Sequence, residues 1–411
     1  MPSSPSLTEP DADDVARVRP AVEELARRTP LLSTRTISER AGGVVTLKAE
    51  NLQRTGSFKV RGVAAKLASL GAEGCAGGVV AASAGNHGQA LAAAARQRGV
   101  VCEVFMPSDA PLAKVEAARG QGAMIHIGGD SVDECIHSAL ERAEEGGLAF
   151  VHPFDDPAVV AGQGSLGLEL LEDVPDLAKV VIPVGGGGLC SGVAIAIKSA
   201  RPDVEVIGVQ AAACAPYPES LERGEPVPAT SALTIADGIA VKQPGALTLG
   251  LLKRWTDGVA VVGEDETAEA MVVLMERCKL VVEGAGAVGV AALLGGQVKP
   301  ADAGTTVAIL SGGNVDPGLL ASIARRAESE AGRRLVLLTR VPDRPGNLAR
   351  LLQCVAAQGA NIVDVSHVRE GLDLHVRETA VELVIETRGH EHADAVVRAL
   401  GAAGWEAGII R

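Results

Sequence analysis

From about residue 28 to residue 317, short β-branched runs alternate with alanine-rich stretches, and this alternation constrains the fold more than any other feature. Residues 78–82, 101–106, 124–127, 180–184, 204–209 and 305–310 read as buried strands. Residues 88–98, 113–121, 131–145 and 188–200 read as helices between them, and 14–28 as an amphipathic helix ahead of them. Strands alternating with helices pack as parallel sheets covered on both faces, and the right-handed crossover rule leaves few topologies. The class is therefore α/β.

The pattern changes after Asn314. Residues 318–334 read as a charged helix or linker, and 335–411 as β-α-β-β-α-β. Its strands are 335–341, 361–368, 379–387 and 405–410; its helices are 347–358 and 391–403. That order is ferredoxin-like.

Composition narrows the classes of function. Lys+Arg 38 against Asp+Glu 51 gives a net charge of −13, which argues against a general polyanion binder. Aromatics at 2% leave few platforms for stacking bases. The seven cysteines (Cys75, Cys102, Cys135, Cys190, Cys214, Cys278 and Cys354) form no C-x-x-C pair, so neither a zinc knuckle nor a disulfide framework is expected. The acidic start lacks a secretory pattern, and no run of about 18 apolar residues suggests a membrane span. The expectation is a cytoplasmic protein acting on small molecules, with neither nucleic acid nor membrane as partner.

Four segments carry chemistry. Thr55-Gly56-Ser57-Phe58-Lys59-Val60-Arg61-Gly62 sets a lysine beside an aromatic ahead of a helix. Ser83-Ala84-Gly85-Asn86-His87-Gly88 follows a strand, and small polar residues there form a nest of backbone N–H groups suited to a carboxylate. Gly185-Gly186-Gly187-Gly188-Leu189 lies between a strand and a helix, where the backbone can approach an anion and the helix adds its positive end. No Lys-Ser/Thr follows, so this is not an NTP-binding loop. The last segment, Ser311-Gly312-Gly313-Asn314, puts a hydroxyl at a strand tip.

In this order the segments, over about residues 15–317, resemble the threonine dehydratase (threonine ammonia-lyase) family of pyridoxal-phosphate enzymes, relatives of serine dehydratase and serine racemase. His152-Pro153-Phe154-Asp155-Asp156 and Ala161-Gly162-Gln163-Gly164 fit the same pattern. The resemblance implies a two-lobed, tryptophan-synthase-β-like parallel-sheet enzyme over residues 1–325, with a smaller lobe at about 60–155. It implies that Lys59 carries the cofactor aldehyde beside Phe58, that Ser83, Ala84, Gly85, Asn86 and His87 hold the substrate carboxylate, and that Asn86 meets the cofactor's phenolic oxygen. Gly185, Gly186, Gly187, Gly188 and Leu189 would bind its phosphate, and Ser311 would meet the pyridine nitrogen.

A lysine amine can hold an aldehyde and then remove an α-proton. A neutral serine supports a charged pyridine nitrogen less than a carboxylate does, which favours elimination over transamination. The expected reaction converts L-threonine to 2-oxobutanoate and ammonia, and L-serine less efficiently to pyruvate. A serine dehydratase or racemase is the rival of the same class, and a non-catalytic amino-acid sensor the rival of another. Alanine at position 84, where a racemase would carry a serine, argues for weak racemisation. Gln210 stands where metal-binding relatives carry an acid, so no metal is expected.

Gly284-Ala285-Gly286-Ala287-Val288-Gly289 and Gly162-Gln163-Gly164-Ser165-Leu166-Gly167 both fit G-x-G-x-x-G but lack the acidic residue a dinucleotide site wants further on. His390-Glu391-His392 reads as polarity at a helix start. In the last segment, residues 334–411, Val341-Pro342-Asp343-Arg344-Pro345-Gly346-Asn347-Leu348 with Asn361 resembles the amino-acid-sensing ACT domains. That implies an effector site at Asp343, Gly346, Asn347, Leu348 and Asn361, isoleucine or valine as effector, and a homo-oligomer, dimer or tetramer. A purely oligomerising module is the alternative.

Overall fold

Valine- and alanine-rich runs with no polar face have to be covered on both sides, and the chain buries them in two sheets. The structure, a computed structural model, describes residues 8–83, 85–108, 110–130, 132–369 and 374–410. It divides into one unit through Asp316 and a second from Pro317.

The first unit holds strands β1 (Leu31–Ser33), β2 (Val45–Lys48), β3 (Val79–Ala82), β4 (Cys102–Met106), β5 (Met124–Ile127), β6 (Ala149–Phe150), β7 (Leu177–Pro183), β8 (Glu205–Ala211), β9 (Gly258–Val262) and β10 (Thr305–Ile309). They form a six-stranded sheet in the order β1-β2-β10-β7-β8-β9 and a four-stranded sheet in the order β5-β4-β3-β6. Every pairing is parallel except that of β1 with β2, which is an antiparallel edge. The central strands β3 and β10 are buried at every residue, as continuous apolar runs in doubly covered sheets should be.

The run 124–127, expected as a buried strand, is instead the rim: β5 is the edge of its sheet, with Met124 56% and Ile127 54% exposed. Strands β1, β2, β6 and β9 have no counterpart in the sequence reading; three of them are four residues or shorter, too brief to show a period. The N-terminal helix Ala12–Leu25 begins a fraction of a turn earlier than its apolar pattern suggests, because Asp11 and Asp14 close a reciprocal capping box.

Each sheet has one place where its strand order reverses. In the six-stranded sheet this lies between β7 and β10, and in the four-stranded sheet between β3 and β6. Ligands of open α/β sheets bind outside the carboxyl ends of strands at such points. The four segments that leave these strand ends begin at Val184, Leu310, Ser83 and Val151.

The second unit contains the helix Pro317–Glu330, then β11 (Arg334–Pro342), the helix Asn347–Ala357, β12 (Asn361–Val368), β13 (Glu378–Glu386), the helix His390–Ala402 and β14 (Ala407–Ile410). Its antiparallel sheet runs β12-β13-β11-β14, the ferredoxin-like arrangement, over a core of Leu337, Leu351, Val355, Val381, Leu383 and Val396. The helix Pro317–Glu330 belongs here, with Ile323 buried. Among the described residues no helix is long and apolar enough to cross a membrane. The seven cysteines are free thiols, five of them buried.

Candidate active site

The segments leaving β3, β6, β7 and β10 line one cavity of about 600 Å³. Phe58, Lys59, Asn86, the glycines 185–188, Leu189 and Ser311 all face it, as do Ser83, Gly85 and His87. The structure therefore brings together residues that lie up to 253 positions apart (311 − 58) in the chain. Ala84 lies outside the described residues.

Lys59 is the first residue of the helix Lys59–Gly74. Its placement is fixed from both sides. Upstream, Ser57 bridges Gly312, and the Phe58 amide donates to the Ser311 carbonyl at 3.1 Å, so the lysine is tied to the loop after β10. Downstream, Arg61 is buried and grips two carboxylates: Glu50 at 2.8 Å and Glu169 at 2.7 Å. Lys48 completes the network with a 2.6 Å bond to Glu169. Removing one member of such a buried set would leave a charge unpaired, at a cost of ~3–5 kcal/mol.

The Lys59 ammonium donates to the Pro153 carbonyl at 2.8 Å and lies 5.2 Å from the centre of the Phe58 ring. Burial disfavours its charged form, only partly opposed by the Glu283 carboxylate, and its pKa falls to about 8. A lysine so tuned holds a useful fraction of free amine near neutral pH, which carbonyl capture and proton abstraction both require.

Asn86 opens the helix Asn86–Arg98 directly after the Ser83 loop, where the Gly85 amide donates to the Ser83 hydroxyl at 3.1 Å. His87 is held neutral: burial pushes its pKa down to about 3, and Nε2 lies 2.9 Å from the Val151 carbonyl. The contact ties the first turn of the helix Asn86–Arg98 to the segment that leaves β6.

The tetraglycine turn sits between β7 and the helix Gly188–Ala200. Among the described residues the amides of residues 185–189 donate to nothing, leaving a row of N–H groups at a helix start. Gly187 has φ +89°, and a Cβ there would stand 2.3 Å from the Tyr217 hydroxyl oxygen. That hydroxyl donates to the Gly186 carbonyl at 2.9 Å. A Cβ on Gly186 would lie 2.2 Å from the Phe154 ring. The turn is thus shaped by its neighbours and admits only glycine at its centre.

Ser311 is 3% exposed, with its hydroxyl 3.4 Å from the Ala285 carbonyl. No carboxylate occupies that position. Gln210 is buried and satisfied at both ends of its amide, donating to the Val184 carbonyl at 3.2 Å and accepting from the Tyr217 amide at 2.9 Å.

Glu283 lies outside the sequence motifs of the site. Glu283 is 3% exposed and lines the cavity, and its carboxyl accepts from Asn86 Nδ2 at 2.7 Å. Its one signal in the sequence is a lone acid inside the apolar run Leu280-Val281-Val282-Glu283-Gly284. Pro153, inside the segment 152–156, contributes through its carbonyl. The two G-x-G-x-x-G segments serve helix packing. Gly162 lies within the helix Pro157–Asp173, where a Cβ would stand 2.6 Å from the Arg61 carbonyl, and a Cβ on Gly286 would stand 2.7 Å from that of Gly312.

In the second unit, the turn after β11 carries Asp343 and Gly346 into the helix Asn347–Ala357, with Gly346 at φ +89° as its cap. Asn347 Nδ2 donates to the Pro342 carbonyl at 3.1 Å, and Leu348 packs on the core. Asn361 is not part of this cluster. It pairs with Glu386, level with Arg334 at the opposite end of β11, and donates to the Glu386 carboxylate at 2.8 Å. His392 accepts from the Arg388 amide at 3.0 Å through Nδ1, and its Nε2 lies 2.9 Å from the Gln358 carbonyl.

Comparison with known proteins places this geometry. The sequence pattern of the family described as "Pyridoxal-phosphate dependent enzyme" matches residues 22–312. The L-threonine ammonia-lyase of Thermotoga maritima is 45% identical over 400 residues, covering 97% of this chain and 99% of that protein. Among solved structures, the serine racemase of Dictyostelium discoideum is 39% identical with a TM-score of 0.70, covering 75% of this chain and 99% of that one. The threonine deaminase of T.th. gives the same identity, TM-score and coverages: 39%, 0.70, 75% and 99%.

Proposed function

Because the chain belongs to the family of pyridoxal-phosphate dependent enzymes, we propose that it deaminates L-threonine to 2-oxobutanoate and ammonia, and acts secondarily on L-serine. The observation that carries this reading is the convergence of the Lys59 amine, the five unpaired amides of residues 185–189 and the neutral Ser311 hydroxyl on one cavity. The residues fit the cofactor. A row of free N–H groups suits its phosphate, and glycine at 185–188 lets the turn pack against Ile239, Phe154 and Tyr217, where a Cβ would clash.

Pyridoxal phosphate, when bound, supplies an electrophilic aldehyde and an electron sink for the substrate's α-carbon. The chain supplies placement and protons. Lys59, lowered to about 8 by burial, offers its free amine and then takes a proton at the α-carbon. The amides of residues 185–189 fix the phosphate end. Ser83, Gly85 and Asn86 present the helix start that takes the substrate carboxylate, and Phe58 lies along Lys59. Ser311 offers a hydroxyl, not a carboxylate, so the site favours loss of the β-hydroxyl over transamination.

The chain's similarity to the named ammonia-lyase extends over both units, which supports a regulatory reading of the second. Its ligand is isoleucine or valine, bound at the Asp343–Leu348 turn, in a homo-oligomeric enzyme of the cytoplasm; the free buried thiols suit a reducing compartment. The equal likeness to a serine racemase favours one second reading, racemisation of serine. Both are tested by supplying pyridoxal phosphate and following 2-oxobutanoate from L-threonine and D-serine from L-serine. Threonine turnover with little D-serine supports the proposal; D-serine formed as fast as pyruvate supports the rival.

A further inference from the structure

Asn86 has one amide oxygen and two N–H groups, and the structure commits most of them. The anchor is a backbone carbonyl. Asn314 Nδ2 donates to the Thr55 carbonyl at 2.8 Å, which settles that its nitrogen, not its oxygen, faces that way. The second N–H of Asn314 Nδ2 donates to Asn86 Oδ1 at 2.7 Å. Asn86 must then turn its own nitrogen toward Glu283, and Nδ2 donates to Oε1 at 2.7 Å. One N–H of Asn86 remains, on a side chain that lines the cavity.

The surroundings are built for this carboxyl. Gly312 flanks it so closely that a Cβ there would lie 2.1 Å from Glu283 Oε1, and one on Gly238 would lie 3.4 Å away. The Glu283 amide is itself bonded to the Gly312 carbonyl at 3.1 Å. Glu283 is buried without an ion pair among the described residues, which is costly unless its carboxyl is hydrogen-bonded, as it is by Asn86.

We infer that Glu283 is a positioning residue: with Asn314 it locks the amide of Asn86 so that the one free N–H points into the cavity as a donor for an anionic oxygen of the cofactor. The inference rests on the functional reading above. The lock holds from two sides, since Asn314 fixes the oxygen and Glu283 fixes the nitrogen.

The lock is also sensitive to pH. Burial pushes the Glu283 carboxyl up to about 7, helped by Asp237 in the turn Asp237–Ile239. Lys114 of the helix Leu112–Gly120, which pairs with Asp237, and Lys59 at the head of its own helix pull the other way. Above this value the ionised carboxylate can only accept, and it polarises the Asn86 amide; below it, the hold weakens.

The test is a pH titration of the visible absorption of the holoenzyme, with cofactor affinity measured by fluorescence, in the wild type, Glu283→Gln and Glu283→Ala. Glutamine keeps an acceptor oxygen but cannot titrate. The wild-type band should change with an inflection near pH 7, and Glu283→Gln should lose that inflection while keeping its cofactor affinity. Glu283→Ala removes the acceptor and should weaken cofactor binding about tenfold, as expected for one charge-assisted hydrogen bond. An inflection unchanged in Glu283→Gln, or wild-type affinity and spectrum in Glu283→Ala, would overturn the inference alone. A wild type that binds no pyridoxal phosphate would overturn the functional reading itself.

Discussion

The ammonium of Lys59 and the carbonyl of Pro153 meet at 2.8 Å, joining the head of one helix to the loop that leaves the two-residue strand β6. One neutral carbonyl does not replace the water the amine has lost. The same burial that makes Lys59 reactive therefore makes it a burden on the fold.

The sign of that burden follows from its pKa, lowered from 10.5 to about 8. Between these values the unfolded chain keeps a proton that the folded chain has released, so Lys59 makes stability rise with pH across that window. Replacing it with methionine should stabilise the cofactor-free chain at pH 7 by up to about 3 kcal/mol, while abolishing turnover. The gain should shrink as pH approaches 10.5. Urea unfolding at pH 7 and pH 10 checks it; equal gains at both would mean that packing, not charge, is responsible.

The tetraglycine turn gives a second expectation. Gly187→Ala puts a Cβ 2.3 Å from the Tyr217 oxygen at a φ of +89°. It should cost about 2–4 kcal/mol of stability from strain and overpacking, and weaken pyridoxal-phosphate binding at least tenfold. Gly296→Ala is the control, because Gly296 also has a positive φ, +79°, but nothing within 4 Å. Calorimetric melting and cofactor titration should separate the two variants; matching losses would show that backbone conformation alone matters.

Much of this is legible in the sequence because the chemistry lies at strand ends. The runs that form β3, β7 and β10 are visible as apolar stretches, and three of the four motifs stand directly after one of them; the Lys59 motif follows the short strand β2. What is not legible depends on partners distant in the chain. Arg61 looks like any helix arginine until Glu50 and Glu169 close on it, 11 and 108 residues away. Glu283 and Asn86 are 197 residues apart, and neither spacing nor composition links them. Backbone acceptors such as Pro153 leave no trace in residue type. Asn361, expected at the effector site as the residue opening a strand, is set by strand register at the end of β11 away from the Asp343–Leu348 turn, a placement that only pairing reveals.

The second unit offers a test that leaves catalysis untouched. Gly346→Asp places a negative charge at the start of the helix Asn347–Ala357, where an effector carboxylate would bind. Isoleucine or valine should shift the threonine saturation curve of the wild type by roughly 5–150-fold in affinity, the usual range of allosteric coupling. The variant should lose that shift and keep its basal rate. A response that survives intact would move the effector away from this turn.

The central claim is that Lys59 carries the cofactor. Reducing the loaded protein with borohydride and mapping the phosphopyridoxyl group by peptide mass spectrometry tests it most directly. The group should be found on the peptide containing Lys59 and on no other. Its appearance on a different lysine, with Lys59 unmodified, would contradict the account.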